Sequence, residues 1–185
     1  MIDLIFDKKV DIRDESFIMA VSEMLNYGGK KIVETGCMRW LGSMVCKEKE
    51  LAIAEREKGH WMADTSSGSS TYLFALVAKK YGCKFSSIDY SLDSIKASKD
   101  NLQELAQYVE FHQADSIVAL QNWEAPIDLL YLDSLGSSAE PLLAQEHQLK
   151  EVMMAYRKLT KNALILLDDN IGGNSKTKMS KFYLE

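Results

Sequence analysis

Apolar and polar positions alternate in blocks along the chain, with two different periods. Helical spacing runs through 15–26, 69–82, 91–108 and 139–159, and "SIVALQNW" is a shorter amphipathic stretch. Short apolar runs separate these blocks and have the length and composition of strands. The five predicted strands are "KKIVETG", "KFSSID", "VEFHQAD", "IDLLYLDS" and "ALILLDD".

Strands that alternate with helices over a whole chain indicate right-handed crossovers and a mostly parallel sheet. We therefore predict an α/β fold of the Rossmann-like, doubly wound type, with helices on both faces. The 185 residues suit one domain, 1–185, and can bury a substantial core. Hydrophobic residues at 46% and charged residues at 26% are typical of a globular chain.

Charge and cysteine content exclude several classes of partner. A formal net charge of −5 lacks the basic surface that nucleic acid binding needs. No run approaches the roughly 20 apolar residues of a membrane span, and "MIDLIFDKKVDIRDE" lacks the pattern of a secretion signal. The three cysteines show no C-x-x-C spacing, and the three histidines are scattered. We predict a cytoplasmic protein with no nucleic acid or membrane partner, no disulfide and no thiolate or all-histidine metal site.

Acidic and amide residues follow nearly every predicted strand. One such acid is ordinary, because Asp often caps the next helix. In open α/β sheets, however, ligands bind outside the carboxyl ends of the strands. The whole set therefore indicates a ligand site at that edge: Glu34 to Gly36, Asp89, Asp115, Asp133 and Asp168 to Asn170.

The loops favour a nucleoside cofactor without a diphosphate. Gly68 in "DTSSGSS" precedes a helix, where backbone N–H groups can approach a carboxylate or phosphate. The fingerprints G-x-G-x-x-G and G-x-x-x-x-G-K-[ST] are both absent. Asp89, at the end of the second strand, can accept both hydroxyls of a ribose. Asp115 and Ser116 would then meet the base.

Six motifs in order, "IVETGC", "GSSTYLFALVA", "SSIDYS", "QADS", "IDLLYLDS" and "ILLDDN", span roughly 31–173. Together they resemble class I S-adenosylmethionine-dependent methyltransferases. The resemblance is nearest to the small-molecule O-methyltransferase branch that includes the catechol and caffeoyl-CoA enzymes, and to relatives with a "VETG" first motif. It implies methyl transfer from S-adenosylmethionine to an oxygen of a small molecule.

The resemblance also implies where the cofactor lies. Its methionine end would meet the first strand end and the start of the following helix, its ribose Asp89, and its adenine Asp115 with Ser116. The predicted cofactor-binding residues are Glu34, Thr35, Gly36, Gly68, Ser69, Ser70, Thr71, Asp89, Asp115, Ser116 and Asp133.

In the metal-dependent branch of that family, positions matching Asp133, Asp169 and Asn170 hold a divalent cation. Three oxygen ligands suit a hard ion such as Mg²⁺, or another divalent cation, which would stabilise the substrate alkoxide. Asp133 is accordingly a predicted catalytic residue. His147 is the other one, as a general base, because it lies four residues before Glu151 on the same helical face. The alternative for this pair is a surface or packing contact.

Two features depart from the family pattern. An insertion at about 38–63 contains the charged helix candidate "KEKELAIAEREK", which would form a lid over the site or a surface decoration. We also expect the antiparallel strand pair that usually follows the fifth strand to be missing. The sequence would then be a fragment, or a homodimer would cover the exposed sheet edge.

Two alternative functions stay open at this point. A non-catalytic or degenerate domain could keep the nucleoside pocket without turnover. A nicotinamide-dependent oxidoreductase would share the doubly wound sheet but needs the missing glycine fingerprint.

Overall fold

The computed structural model of the chain describes residues 14–37, 69–135 and 141–168. Strands and helices alternate through this part of the chain, as the sequence predicts. The α-helices are α1 (Asp14–Asn26), α2 (Ser69–Tyr81), α3 (Leu92–Leu102), α4 (Ser116–Gln121) and α5 (Pro141–Ala155), and the strands are β1 (Lys31–Thr35), β2 (Lys84–Asp89), β3 (Val109–Gln113), β4 (Ile127–Leu132) and β5 (Leu159–Leu167).

The five strands form one sheet in the order β3-β2-β1-β4-β5, and every neighbouring pair is parallel. The predicted α/β doubly wound fold is therefore confirmed. The chain runs outward from β1 through β2 to β3 and then crosses to β4 on the other side of β1. That reversal leaves a crevice at the carboxyl ends of β1 and β4, where open α/β sheets bind ligands.

Each face of the sheet is covered by its own hydrophobic cluster. On one face Phe17 of α1 and Phe74 of α2 pack edge to face with ring centroids 5.4 Å apart, and both rings contact Tyr131 of β4. On the other face Leu120 of α4 and Val152 of α5 are buried. Edge-to-face pairs add specific attraction to the burial of large side chains. Because both faces of the sheet are covered, the sheet is a rigid support for the loops at its edges.

Several element boundaries differ from the prediction. The stretch 91–108 is not one helix, because α3 ends at Leu102 and a 3₁₀ helix, Gln103–Tyr108, follows. The last helix is also shorter than predicted, with a 3₁₀ turn at Tyr156–Lys158, and β5 begins at Leu159 rather than Ala163. None of the described helices is long and apolar enough to cross a membrane.

Two predictions of architecture lie outside the described residues. They are the inserted lid at about 38–63 and the missing strand pair after β5.

Candidate functional site

A cavity of about 270 Å³ opens at the carboxyl edge of the sheet. It lies where β1, β2, β3 and β4 end, beside the start of α4 and His147 of α5. This is the edge at which the sequence places its polar strand ends. The described residues that line the cavity are Gly36, Ile88, Asp89, Tyr90, Ala114, Asp115, Ser116, Ser134, Leu135 and His147.

Gly36 allows β1 and β4 to end side by side. Its backbone has φ +80°, a conformation that side chains strongly disfavour. A Cβ there would overlap the carbonyl oxygen of Asp133 and lie 2.9 Å from the Cα of Ser134. The Gly36 N–H donates to the Ile88 carbonyl at 2.8 Å, which ties this turn to β2. Only glycine therefore fits at this wall of the cavity.

Asp89 is 6% exposed and is held by two backbone donors. Its Oδ2 accepts from the Cys37 N–H at 3.1 Å, and its Oδ1 accepts from the Ser91 N–H at 2.8 Å. The Cys37 thiol is a further, weak donor to this carboxylate. An ionised carboxylate offers about four acceptor positions, so acceptor capacity stays available on the cavity side. A rigid carboxylate with spare acceptor capacity is suited to a pair of ligand hydroxyls.

Cys37 does not contribute a nucleophile to this site. Burial, together with the carboxylates of Asp89 and Glu34, raises the pKa of the Cys37 thiol well above its ordinary value. The thiol therefore stays protonated at neutral pH, and the thiolate is the reactive form.

Asp115 and Ser116 begin α4 beside the cavity. The Asp115 Oδ1 accepts from the Val118 N–H at 3.0 Å and so caps this helix, which is the ordinary role of such an acid. Ser116 is buried, with its Oγ 3.0 Å from His147 Nε2. His147 Nε2 is also 3.6 Å from Glu151 Oε1, so the expected contact within α5 is present. The structure thus joins Ser116 to a histidine 31 residues away in the sequence.

Glu34 is completely buried under α2, and it does not belong to the described lining of the cavity. Its Oε2 accepts hydrogen bonds from the hydroxyls of Thr71 and Ser87, each at 2.8 Å. Within the described part of the chain, its Oε1 has no hydrogen-bond partner. Burial raises the pKa of Glu34 to about 7, although the hydroxyls of Ser70, Ser87 and Thr71 oppose the shift. The contact of Glu34 with a cofactor stays a prediction.

Thr35 and Ser70 are likewise buried. The Thr35 carbonyl accepts from the Asp133 N–H at 2.9 Å, which joins the ends of β1 and β4. Ser69 is the first residue of α2, so this helix begins where the sequence predicts. Gly68 and the Ser69 side chain lie outside the described residues.

Asp133 is half-buried at the end of β4. The end of β5 is adjacent, since the Asp168 N–H donates to the Leu132 carbonyl at 3.1 Å. The other two predicted metal ligands, Asp169 and Asn170, lie outside the described residues. In the parts that are described, three or more acidic, histidine or cysteine ligands do not come together. The divalent cation stays a prediction that rests on one described ligand.

Sequence reasoning missed five residues of the described cavity wall: Ile88, Tyr90, Ala114, Ser134 and Leu135. Tyr90 and Ser134 directly follow the acids Asp89 and Asp133. Only their position could have identified these two residues, because residues that follow a strand end face the same crevice.

A family model described as "Methyltransferase domain" matches residues 65–170, which is more than half of the chain. No curated protein matches the sequence significantly.

Two solved structures share the fold. Rv0187 from MTB, crystallised with a cofactor bound, is 14% identical, with a TM-score of 0.60 over 96% of this chain and 69% of its own. An O-methyltransferase from Bacillus cereus, in complex with SAH, is also 14% identical, with a TM-score of 0.52 over 98% of this chain and 80% of its own. At such low identity, these likenesses concern the fold.

Proposed function

The chain belongs to the methyltransferase-domain family, and from this premise we propose that it transfers a methyl group from S-adenosylmethionine to an oxygen of a small molecule. The observation that carries the proposal is Asp89. A buried carboxylate is held rigidly at the end of β2, with acceptor capacity left on the side of a 270 Å³ cavity. The SAH in the Bacillus cereus O-methyltransferase supports the choice of cofactor.

Within this proposal Asp89 accepts the two ribose hydroxyls of the cofactor. Gly36 lets the cofactor approach the backbone where β1 ends, since a side chain there would fill the gap. Asp115 and Ser116 lie toward β3 and would meet the adenine. The bound cofactor supplies a methyl group activated by its sulfonium. The protein contributes mainly the alignment of donor and acceptor, because an in-line displacement needs little else.

A divalent cation belongs to the proposal as its second part. Asp133, Asp169 and Asn170 would hold it, and the support is that β4 and β5 end side by side. When bound, such an ion would lower the pKa of a substrate hydroxyl and orient it. The general-base role of His147 is a separate prediction, for a substrate whose hydroxyl needs no metal.

The acceptor and the assembly are also proposals. A small molecule suits a chain with net charge −5 better than nucleic acid does. A homodimer would cover β5, which is the last strand of the described sheet and carries half-buried apolar residues. Light scattering tests this arrangement, and a clean monomer would contradict it.

Calorimetric titration tests the cofactor directly. S-adenosylmethionine and S-adenosylhomocysteine should each bind saturably at one site, and NAD⁺ should give no binding under the same conditions. NAD⁺ binding without binding of the sulfur nucleosides would favour the oxidoreductase alternative. Absence of binding by all three would contradict the proposed cofactor.

Turnover with a panel of small hydroxyl compounds then separates an enzyme from a binding domain. Product should appear for at least one compound, and a chelator should abolish it if a cation is needed, with Mg²⁺ restoring the rate. A protein that binds the cofactor but methylates none of a broad panel would support the degenerate alternative. Turnover that survives the chelator would contradict the metal part alone.

A further inference from the structure

We propose that Glu151 and His147 are positioning residues that fix the hydroxyl of Ser116 as a hydrogen-bond donor at the nucleobase end of the cavity. This inference rests on the proposed function, because it requires the cavity to take a nucleoside. It assigns a role to a buried carboxyl group that the proposed reaction does not use.

The three side chains form a chain of contacts that runs from the protein interior to the cavity. Glu151 is buried, with 1% exposure, and lies behind His147 on α5. His147 has 22% of its side chain exposed and lines the cavity, as does Ser116 at the start of α4. The contacts are 3.6 Å from Glu151 Oε1 to His147 Nε2 and 3.0 Å from Nε2 to Ser116 Oγ.

Both contacts meet at the same ring nitrogen, which decides where the imidazole carries its proton. Glu151 Oε1 is an acceptor without a hydrogen-bond partner among the described residues. A lone pair on Nε2 would face this oxygen and be repelled, whereas an N–H bond there is attracted. We therefore assign the proton to Nε2. That N–H donates to Ser116 Oγ.

The assignment fixes what Ser116 can offer a ligand. A hydroxyl has one hydrogen to donate and two lone pairs that accept. Since His147 occupies one lone pair, the hydroxyl hydrogen of Ser116 is free to turn toward an acceptor in the cavity. The ring nitrogens of a purine are such acceptors.

The sheet order places the base at this end. Asp89 ends β2, which lies between β1 and β3. If the ribose binds at Asp89, the part of the cavity beside Gly36 lies toward β4 and Asp133, where methyl transfer is proposed. The opposite side is lined by Ala114 and Ser116 and would take the base. With its proton on Nε2, His147 would not act as the predicted general base through this nitrogen, so the two roles of His147 are alternatives.

The test uses S-adenosylhomocysteine and three analogues in which N1, N3 or N7 of the purine is replaced by CH. For the unmodified protein, one analogue should bind about three- to tenfold more weakly than the parent, the loss of one net hydrogen bond. The Ser116→Ala variant should bind the parent more weakly by a similar factor and show no further loss with that analogue. A purely structural role for the side chain would not produce this coupling.

Glu151→Met removes the acceptor and keeps the volume of a buried side chain. It should weaken binding of the parent by about threefold and reduce the penalty of the sensitive analogue. Glu146→Met is the matched control, since Glu146 lies on the same helix with 61% of its side chain exposed. The control should bind all four ligands as the unmodified protein does. His147→Gln, at a partly exposed position, should repeat the Glu151→Met pattern.

The outcomes separate this inference from the proposed function. If the unmodified protein does not bind S-adenosylhomocysteine, the proposed cofactor is wrong and this inference fails with it. If it binds but all three analogues bind equally well, or the penalty persists in Ser116→Ala, only the donor role is overturned. A Glu151→Met or His147→Gln variant that folds and keeps the full analogue penalty overturns the positioning role. An unchanged affinity with a lost methylation rate in His147→Gln overturns it as well, in favour of the general base.

Discussion

Asp128 and Asp89 are carboxylates at opposite edges of the same sheet, and they are used differently. Asp128, near the amino end of β4, accepts from the Lys30 N–H at 2.8 Å, the Lys31 N–H at 3.0 Å and the Thr160 hydroxyl at 2.9 Å. It thereby ties β1 and β5 to β4. Asp89 accepts two backbone hydrogen bonds, from the N–H groups of Cys37 and Ser91 in nearby turns, and faces a cavity.

The difference shows that an acid at the end of a strand is not by itself a sign of function. The amino edge also has a cavity, of about 200 Å³, with Asp128 and Thr160 in its wall. The Asp128 carboxylate, however, uses three acceptor positions for hydrogen bonds that hold the strands together. At the carboxyl edge Asp89 and Ser116 keep hydrogen-bonding capacity toward the cavity. The candidate site is distinguished by side chains that keep unused hydrogen-bonding groups toward a cavity. The presence of an acidic side chain at a strand end does not distinguish it.

The largest expected effect comes from filling the space at Gly36. Gly36→Ala should lower the free energy of unfolding by about 4 kcal/mol, because the new Cβ overlaps backbone atoms of Asp133, directly after β4, at an already disfavoured φ. Gly28→Ala is the matched control, since Gly28 has φ +78° and a Cβ added there would meet no described atom within 4 Å. It should cost about 1 kcal/mol. Equal losses in denaturant titrations would contradict the close approach of β1 and β4.

Glu34 makes the stability of the protein depend on pH. Its pKa of about 7, against 4.5 ordinarily, means that the folded state keeps a proton that the unfolded chain has lost. The contribution of Glu34 is fully present below about pH 4.5, falls as the pH rises toward 7 and is lost above that. Between these limits the protein should lose about 3 kcal/mol of stability through this group.

Glu34→Gln removes that dependence and leaves an oxygen for the two hydroxyl donors. Relative to the unmodified protein, the variant should therefore gain about 3 kcal/mol between pH 4.5 and 8 in urea titrations. Glu110→Gln, with 74% of its side chain exposed, is the control and should show little change. A difference between Glu34→Gln and the unmodified protein that is constant with pH would rule out the buried, protonated carboxyl.

Asp128→Ala should lower the free energy of unfolding by about 2 kcal/mol, because it leaves two backbone N–H groups and one hydroxyl without their acceptor. Cofactor affinity should not change, since Asp128 lies at the opposite edge from the site. Thermal unfolding and calorimetry on the same sample measure both quantities. A weakened cofactor affinity in a folded Asp128→Ala protein would break the distinction between the two edges.

Local sequence signals predicted most of the fold. Gly82 ends α2 with a positive φ, and β2 follows at the predicted residues, Lys84–Asp89. The end of α3 was not predictable, because the break at Gln103 has φ +50° without a glycine or proline to mark it. The early start of β5 was hidden by Lys161 and Asn162, whose side chains are exposed on an edge strand.

The candidate site was predictable only in part. Strand ends identified Asp89 and Ser116, and helical spacing paired His147 with Glu151. The contact between Ser116 and His147 joins residues 31 positions apart, so it depends on how α4 and α5 pack and no local pattern encodes it. The surroundings of Glu34 were not predictable either. Its position at the end of β1 did not reveal that its side chain packs under α2.

The most direct test of the central claim is the dissociation constant of S-adenosylhomocysteine for Asp89→Asn beside that for Asp128→Asn. Asp89→Asn should bind about tenfold more weakly or worse, because an amide replaces one charged acceptor of the ribose hydroxyls. Asp128→Asn should bind as the unmodified protein does. Equal affinities for the two variants would contradict the assignment of Asp89 and its cavity as the cofactor site.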